Sequence, residues 1–396
     1  MTVTPRGIQE IEVADKRVFV RVDFNVPVDE NQEIVDDTRI RAALPTIQHL
    51  MDQGARIILA SHFGRPKGEF KEKYSLRRVA QRLEELLGKK IFMASDCVGE
   101  EPKRLISQLK PGEIVLLENL RFYSGEEAND PAFARQLAEL ADIYVNDAFG
   151  AAHRAHASTA GMAAFLPAAA GFLMQKEVKA LSEVLTYPKR PFLAIIGGAK
   201  VSDKIKLLDN FLDKVDMLAV GGGMANTFFK AQGWEVGKSL VENDYLDFAR
   251  HLMASAPEKG VEFLLPVDVV VADRMAAEAQ TKIVKPEAVP ADWMILDIGP
   301  ATVQLLEEVC QESRTVLWNG PMGVFELPPF AQGTTAVARI LARTEAVTII
   351  GGGDSAAAVE QAGVAEQITH ISTGGGASLE FLEGRELPGV VALAAK

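Results

Sequence analysis

The sequence is poor in cysteine, and this scarcity excludes several classes of protein. Its 396 residues include two cysteines, Cys97 and Cys310, which lie too far apart in the chain to form a CxxC metal site. Two distant cysteines also cannot build a disulfide framework, so a reducing compartment is indicated. The N-terminal region has acidic residues at Glu10, Glu12 and Asp15 and lacks the apolar core of a signal peptide. We therefore expect a cytoplasmic protein without a redox role.

Basic side chains are also in deficit. The chain has 42 lysines and arginines against 54 aspartates and glutamates, which gives a net charge of −12. Nucleic acids and anionic lipids require a basic surface, so we expect neither as a partner. Residues 156–174 carry no Asp, Glu, Lys or Arg, but the stretch is rich in alanine and too weakly apolar for a transmembrane helix. Residues 1–190 carry a net charge of −1 and residues 191–396 carry −11. The first half could therefore host an anion, although a solvated basic helix face at residues 71–90 also accounts for its basic residues.

Short apolar and β-branched runs alternate with helical patterns along the whole chain, which is typical of an α/β protein with mostly parallel sheets. We predict two doubly wound, Rossmann-like domains, residues 1–174 and 187–376, with one sheet in each. The charged amphipathic segment 175–186 stops before Pro188 and is predicted to be the connecting helix. Strands are predicted at residues 17–23, 56–61, 113–119, 143–147, 192–196, 217–220, 262–267, 316–319, 347–350 and 369–373.

Arginines that follow the predicted strands are the first candidates for chemistry, because ligands of open parallel sheets bind beyond the carboxyl ends of the strands. Arg65, Arg121 and Arg154 occupy such positions, and Arg39 follows a polar turn. Converging guanidinium groups repel one another unless a polyanion binds among them, and their forked donors match phosphate and carboxylate oxygens. We therefore predict a small ligand with phosphate and carboxylate groups. Each arginine alone is equally compatible with a surface ion pair.

Asp23, Asn25 and His62 accompany these arginines at the strand ends. The Asp23 carboxylate could orient arginines or accept a substrate hydroxyl, and Asp23 and Asn25 could instead cap a turn. His62 alone is more typical of a hydrogen-bonded structural histidine, and only its place beside Arg65 makes it a candidate ligand contact.

In the second half, predicted strands run into glycine clusters at residues 197–198, 221–223, 351–353 and 374–376. Glycine allows a backbone to approach a flat or anionic ligand closely, and a helix that begins after it directs free N–H groups at phosphate. Gly353-Asp354-Ser355 is the best phosphate site, with Asp354 placed to reach a phosphate-bound Mg²⁺. The alternatives are that Asp354 or Ser355 caps the helix and that the glycines end strands for geometric reasons.

The lysines near the first glycine cluster are a weaker signal for a nucleotide. Lys200 and Lys204 would share one face of a helix and could lie along a polyphosphate, or that face is simply solvated. Neither standard nucleotide fingerprint is present. The chain has no GxGxxG, and residues 233–239 imitate a Walker A loop with three residues between the glycines where four are required.

Nine motifs that cover nearly the whole chain resemble those of the phosphoglycerate kinase family, in the family's order. They are RVDFNVP (21–27), SHFGRP (61–66), LLENLRFY (116–123), NDAFGAAHRAHAS (146–158), GGAKVSDKI (197–205), GGGMANTF (221–228), LPVD (265–268), WNGPMGVFE (318–326) and GGGDSAAA (351–358). The resemblance implies reversible phosphoryl transfer from 1,3-bisphosphoglycerate to MgADP, giving 3-phosphoglycerate and MgATP. It implies a substrate domain, 1–174 completed by 377–396, and a nucleotide domain, 187–376. The transfer is expected to be in line, in a cleft closed by hinge motion around 175–186, in a monomer whose partners are small molecules.

The resemblance also assigns roles to individual residues. The substrate residues are Asp23, Phe24, Asn25, Arg39, His62, Phe63, Gly64, Arg65, Arg121 and Arg154. The nucleotide residues are Gly198, Ala199, Lys204, Asn319, Pro321, Glu326, Gly352, Gly353, Asp354 and Ser355, with Glu326 at the ribose and Asp354 as the Mg²⁺ ligand. The catalytic residues are Arg39, Lys200 and Lys204. Two positions depart from the family pattern: Phe63 stands where leucine is usual, and Asn226 where an aromatic residue is common.

The implied chemistry agrees with the residues present. In the ATP-consuming direction the nucleophile is a carboxylate, ionised at neutral pH, so no general base is required. Two alternatives stay open: a kinase for a different small phosphorylated acid, and a non-catalytic nucleotide-sensing or scaffold protein with the same fold. Loss of Arg39, Lys200 or Asp354 would favour the second, and all three are present. His153 and His156 are expected to support Arg154.

Overall fold

The computed structural model describes residues 5–394, and its chain divides into two compact units. The first is Met1–Lys179 with Arg385–Lys396, and the second is Ala180–Gly384. Residues 1–4 and 395–396 of the predicted first domain lie outside the described residues. Within the described part of the chain, no helix combines the length and the apolar character needed to cross a bilayer.

The strands confirm the predicted α/β class, because each unit is built on a parallel sheet. The strands are β1 (Arg17–Arg21), β2 (Arg56–Ala60), β3 (Ile91–Met93), β4 (Ile114–Leu116), β5 (Ile143–Asn146), β6 (Ala168–Ala170), β7 (Phe192–Ile196), β8 (Met217–Val220), β9 (Glu262–Leu264), β10 (Val269–Ala272), β11 (Thr281–Val284), β12 (Met294–Ile298), β13 (Thr315–Asn319), β14 (Val347–Gly351) and β15 (His370–Ile371). The first unit's sheet has the order β3-β4-β2-β1-β5-β6, and the second unit's has β15-β14-β13-β7-β8-β9. The strand order reverses between β1 and β5 and between β7 and β13, and ligands of α/β sheets bind at such switch points.

The helices connect these strands. They are α1 (Thr38–Asp52), α2 (Arg77–Leu87), α3 (Glu100–Gln108), α4 (Ser124–Glu127), α5 (Pro131–Ala138), α6 (Phe172–Thr186), α7 (Ile205–Leu212), α8 (Met224–Ala231), α9 (Leu246–Glu258), α10 (Pro300–Glu312), α11 (Gln332–Arg343), α12 (Gly353–Gln361), α13 (Gly376–Leu382) and α14 (Pro388–Val391). Local sequence explains several ends. At the start of α5, Asp130 accepts the Ala132 N–H at 3.2 Å and Pro131 takes the first helical position. After α2, Gly88 adopts the left-handed conformation that ends the helix, with φ +60°.

Strands that are buried along their whole length contribute to the cores, as expected for parallel sheets covered on both faces. All five residues of β7 are buried, as are all five of β13. Trp318 in β13 is fully buried, and its indole N–H donates to the Gly320 carbonyl at 2.8 Å. The core of the second unit thereby holds the loop that follows β13 in one conformation.

The prediction of one sheet in each domain is wrong for the second unit. β10, β11 and β12 form a third, antiparallel sheet with the order β11-β10-β12. The three consecutive valines 269–271 were the signal for it in the sequence. The predicted strands also omitted β3 and β6.

Two boundaries differ from the predicted ones. The connecting helix begins at Phe172 rather than 175, because the Thr46 hydroxyl accepts the Phe172 N–H at 2.9 Å and Asp147 accepts the Met174 N–H at 3.1 Å. These acceptors satisfy N–H groups of the first turn, which lack partners within the helix. Near the C-terminus, residues 377–384 belong to the second unit, because α13 packs against α7.

Candidate active site

A buried arginine organises the carboxyl end of the first sheet. Arg21, the last residue of β1, is fully buried; it donates to the Ser158 hydroxyl at 2.7 Å and to the Val22 carbonyl. It also lies 3.1 Å from Nδ1 of His62. Because a guanidinium only donates, Nδ1 must accept, and the proton of the neutral imidazole is on Nε2. Sequence reasoning missed Arg21, although a charged residue at the end of an apolar strand was a usable signal.

Arg39 is held from the loop that follows β1. One terminal nitrogen, Nη1, lies 3.1 and 3.2 Å from the two Asp23 carboxylate oxygens and 3.1 Å from the Asn25 carbonyl. Nε and the other terminal nitrogen of Arg39 have no hydrogen-bond partner within residues 5–394. Asp23 therefore orients Arg39, and donors of Arg39 are left for an anion.

Asn25 and Arg121 fix the loop after β2. The Gly64 N–H donates to the Asn25 side chain at 2.8 Å, and Arg121 donates to the Gly64 carbonyl at 2.8 Å. Gly64 has φ +59°, and a Cβ there would lie 2.5 Å from the Tyr74 ring, so glycine is required for this close approach. Phe24 and Phe63 are buried in the hydrophobic core of the unit, so their side chains serve packing.

The charges of several arginines act together on two histidines at this edge of the sheet. Burial, followed by the charges of Arg21, Arg121 and Arg39, holds the pKa of His62 well below its usual range. Burial and then the charges of Arg121, Arg21 and Arg154 lower the pKa of His156 to about 4. Both imidazoles are therefore neutral at pH 7 within a field of guanidinium groups. Such a field attracts an anion.

Arg154 and Arg65 differ in how they are held. Arg154 is half-buried, and its Nε lies 3.2 Å from Nε2 of His153, as the predicted supporting role for that histidine requires. Arg65 is exposed, and its side chain has no hydrogen bond or ion pair with any residue that the structure describes. Arg65 therefore extends into solvent beside the other arginines' loops.

In the second unit, the loops at the switch point between β7 and β13 interlock through their backbones. The Gly197 N–H donates to the Asn319 carbonyl at 2.8 Å, and the Gly198 N–H donates to the Pro321 carbonyl at 2.9 Å. A Cβ on Gly197 would lie 2.3 Å from the Pro321 carbonyl oxygen, and one on Gly320 would lie 2.2 Å from the Gly197 carbonyl oxygen. Gly197 and Gly320 are therefore needed for close packing of the loops, which agrees with the alternative that glycines follow these strands for geometric reasons.

The turn that opens α12 is different. A Cβ on Gly353 would meet nothing within 4 Å, and Asp354 in the same turn is exposed. The helix has Gly352 as its N-cap and no side-chain cap, which excludes capping by Asp354 or Ser355. The buried Ser355 hydroxyl instead accepts the Gly320 N–H at 2.6 Å. The first turn of α12 therefore has uncapped N–H groups beside open space at Gly353, where a phosphate can approach.

Asn319 links this turn to a lysine. Lys204 donates to the Asn319 side-chain oxygen, and the buried Asn319 Nδ2 has no partner within the described residues. Burial lowers the pKa of Lys204, and the charges of Asp203 and Asp354 oppose that shift. Lys200 is exposed, and its side chain makes no hydrogen bond or ion pair with any of residues 5–394. The expectation that both lysines lie on one helix is wrong, because residues 201–204 form a turn and α7 begins at Ile205.

A cavity of about 580 Å³ opens beside these loops. Gly198, Ala199, Pro321, Glu326 and Asp354 line part of it, so it joins five of the predicted nucleotide residues. The remainder of the wall is largely apolar and is formed by α8, by β12 and by the segment around Leu240. A pocket of this size, mostly apolar with few polar groups, is typical of a small-molecule site.

The residues around Asp354 fit a magnesium ion that arrives with a nucleotide. No group of three or more His, Cys, Asp or Glu side chains that could hold a metal occurs in the described part of the chain. Mg²⁺ differs from most metals in needing only one or two carboxylates when substrate phosphates supply the other oxygens. The exposed carboxylate of Asp354, in the charge field of Lys204, meets that requirement.

One doubly wound sheet ends in arginines around neutral histidines. The other ends in a glycine-bounded pocket at a helix N-terminus. These two features define a phosphotransferase of small anionic substrates. The family model described as phosphoglycerate kinase matches residues 8–385. The chain belongs to the phosphoglycerate kinase family, as predicted, and is a glycolytic phosphotransferase that uses ATP and ADP.

Relatives and solved structures of that family align with nearly the whole chain. Phosphoglycerate kinase of Moorella thermoacetica is 61% identical over 389 residues, 98% of this chain and 99% of that one, and that of Pelotomaculum thermopropionicum is 59% identical over 388 residues, 98% of each. The solved structure from Coxiella burnetii has a TM-score of 0.90 at 45% identity, and that from Pyrococcus horikoshii has 0.85 at 34%. Each covers 98% of both chains.

Proposed function

We propose that the first unit binds 3-phosphoglycerate or 1,3-bisphosphoglycerate at the carboxyl end of its sheet. The observation that carries the proposal is the pair of buried, neutral histidines, His62 and His156, whose pKa values are lowered by burial and then by arginine charges. Arg39 keeps free donors, and Nε2–H of His62 is a further donor. The proposed contacts are Asp23, Phe24, Asn25, Arg39, His62, Phe63, Gly64, Arg65, Arg121 and Arg154, with Phe24 and Phe63 acting through their backbone.

The second unit is proposed to bind ADP or ATP in its cavity, with the phosphates at the start of α12. Open space at Gly353 and the orphaned Nδ2 of Asn319 support this placement. The proposed contacts are Gly198, Ala199, Lys204, Asn319, Pro321, Glu326, Gly352, Gly353, Asp354 and Ser355. Asp354 would hold Mg²⁺, which neutralises phosphate charge when it is bound.

Catalysis is proposed to rest on Arg39, Lys200 and Lys204. The attacking carboxylate of 3-phosphoglycerate is ionised at neutral pH, so the reaction needs positioning and cationic stabilisation rather than a base. Arg39 is pre-oriented by Asp23, and Lys200 is exposed, so each has donors for the equatorial oxygens of the transferring group. Lys204 is the partly buried cation beside Asp354.

Transfer is proposed to be in line and to require closure of the two units about α6. The support is that the two proposed sites belong to different units, and that water must be excluded from an acyl phosphate and ATP during transfer. Small-angle scattering of the protein with both ligands tests this step, and an unchanged radius of gyration would contradict it. The protein is proposed to be a cytoplasmic monomer.

A coupled assay with 3-phosphoglycerate and MgATP tests the proposed function directly. We expect turnover with 3-phosphoglycerate and little with other small phosphorylated acids. A kinase for another acid would show the reverse preference, and a sensor or scaffold would show no turnover while still binding nucleotide.

A further inference from the structure

Arg21 carries a fully buried charge that no carboxylate contacts directly. Its three guanidinium nitrogens contact the Ser158 hydroxyl, the Val22 carbonyl and Nδ1 of His62, one partner each. Arg21 forms no direct ion pair with any carboxylate of residues 5–394. Burying a charge is costly unless an opposite charge compensates it. One of the three contacts of Arg21 leads to such a charge.

The Ser158 hydroxyl connects Arg21 to Glu126, a residue of α4. Nε of Arg21 donates to the hydroxyl at 2.7 Å, and the hydroxyl donates to Oε1 of Glu126. The Ser158 backbone N–H donates to the other carboxylate oxygen, Oε2, at 3.0 Å. Ser158 and Glu126 are both fully buried. Because a guanidinium only donates and a carboxylate only accepts, the direction of each of these bonds is fixed.

Glu126 and Arg21 also act on one another through their charges. Burial raises the pKa of Glu126, and the charge of Arg21 is the largest effect that opposes this rise. Nδ1 of His156 lies 4.0 Å from Oε1 of Glu126, but the lowered pKa of His156, about 4, leaves that imidazole neutral at pH 7. Arg21, rather than His156, therefore provides the main positive charge opposite Glu126.

We propose that Glu126 and Ser158 are positioning residues for His62. Together they hold Arg21 against Nδ1 of His62, and this contact keeps the imidazole in the tautomer with its proton on Nε2. Which nitrogen of a neutral imidazole carries the proton is set by the hydrogen bond that the other nitrogen makes. The proposal rests on the proposed substrate site, which uses the Nε2–H of His62 as a donor, and it adds two residues that act through Arg21.

The tautomer of His62 can be measured without substrate, by NMR of the full chain labelled with ¹⁵N-histidine. The nitrogen chemical shifts report which ring nitrogen carries the proton, and His62→Gln identifies the signals of His62 among those of the six histidines. Ser158→Ala removes the connecting hydroxyl and leaves the charges of Arg21 and Glu126 in place. Glu126→Gln keeps the shape of the side chain and removes its charge.

Tyr144→Phe is the matched control for these variants. The buried Tyr144 hydroxyl donates to the Ser158 backbone carbonyl at 2.6 Å. The substitution therefore removes one buried hydrogen bond to Ser158 and leaves the Ser158 hydroxyl between Arg21 and Glu126. A general loss of packing around Ser158 would affect this variant as well, whereas loss of the proposed connection would not.

We expect wild-type His62 to populate one tautomer, with its proton on Nε2. In Ser158→Ala and in Glu126→Gln both nitrogen shifts of His62 should move toward those of a mixture of tautomers, and in Tyr144→Phe they should not. The KM for 3-phosphoglycerate should rise roughly two- to tenfold in Ser158→Ala, the size of one neutral hydrogen bond. Tyr144→Phe should keep a KM within about twofold of wild type.

Three results would overturn the proposal: a mixture of tautomers or an Nδ1–H proton in wild type, an unchanged tautomer in Ser158→Ala, or an equal change in Tyr144→Phe. If Glu126→Gln does not fold, Ser158→Ala decides the matter, because it loses a single oxygen and no charge. If neither folds, the wild-type tautomer still supports or overturns the proposal. Absence of turnover by wild type with 3-phosphoglycerate would instead overturn the proposed function and leave the tautomer result standing.

Discussion

Replacing Arg39 by alanine is the sharpest perturbation of the proposed mechanism. The side chain is 37% exposed, and one of its nitrogens is engaged by Asp23 and by the Asn25 carbonyl. The remaining donors are available for oxygens of the transferring group. Removing one pre-oriented donor to a developing negative charge typically lowers kcat by about 10²–10³, or about 2.7–4 kcal/mol. We expect Arg39→Ala to show a loss of this size.

The same geometry predicts little loss of stability. The ion pair between Arg39 and Asp23 is partly exposed, so it contributes at most about 1 kcal/mol, and Tm should fall by roughly 2–4 °C. Arg41→Ala is the matched control, because Arg41 lies on the same helix, pairs with Asp37 and is 55% exposed. That variant should keep near-normal kcat.

Steady-state kinetics in the coupled assay separates the possible roles of Arg39. A loss in kcat and kcat/KM together means that Arg39 stabilises the transition state, whereas a raised KM with normal kcat means that it only binds substrate. Arg39→Lys, which keeps the charge and loses the fork, should fall between wild type and alanine. If Arg39→Ala keeps kcat within about threefold of wild type while folded, the catalytic role is refuted.

Three further outcomes are expected. Gly197→Ala should lower Tm by several degrees, because its Cβ would lie 2.3 Å from the Pro321 carbonyl oxygen. Gly353→Ala should change the free energy of unfolding by less than about 0.5 kcal/mol and should weaken ADP binding measured by calorimetry. Equal Tm losses in the two variants would contradict this difference between the two glycines. Burial raises the pKa of Asp297 from 3.8 to about 7, so its contribution to stability is fully present below pH 3.8 and is lost as the pH rises to 7. In urea unfolding from pH 4 to 8, wild type should lose up to about 4 kcal/mol of unfolding free energy relative to Asp297→Asn. Parallel pH dependences of the two unfolding free energies would contradict this prediction. Asp354→Asn should raise the Mg²⁺ concentration for half-maximal activity about tenfold and leave ADP binding without Mg²⁺ within about twofold; an unchanged Mg²⁺ requirement would remove Asp354 as the ligand.

The alternation of apolar runs and helical patterns was enough to predict the parallel sheets. β7 and β8 have the predicted bounds, because each is a short, uniformly apolar run bounded by proline or aspartate before it and by glycine after it. β10 to β12 were not predicted, although the valines 269–271 are a strong strand signal. β10 and β11 are not followed by an α-helix that would mark them, so their pattern was absorbed into the neighbouring loops.

The candidate site was predictable where residues share a strand end and unpredictable where they act through burial. A residue's position after a predicted strand can be recognised in the sequence, and Arg39, His62 and Asp354 were singled out on sequence or family grounds. The pairing of Arg21 with His62 depends on two strands lying side by side, which no local pattern reveals.

The charge distribution explains why the two units would recognise anions by different means. Residues 191–396 carry −11, yet this half contains the proposed phosphate site. Long-range repulsion therefore opposes binding of a nucleotide there, and the attractive contacts must act at short range through the free N–H groups of α12, Lys204 and a bound Mg²⁺. In the first unit the opposite holds, because Arg21 and Arg121 are buried beside neutral histidines. Their charges are screened less by solvent, so a small anion is attracted into that site before any contact forms.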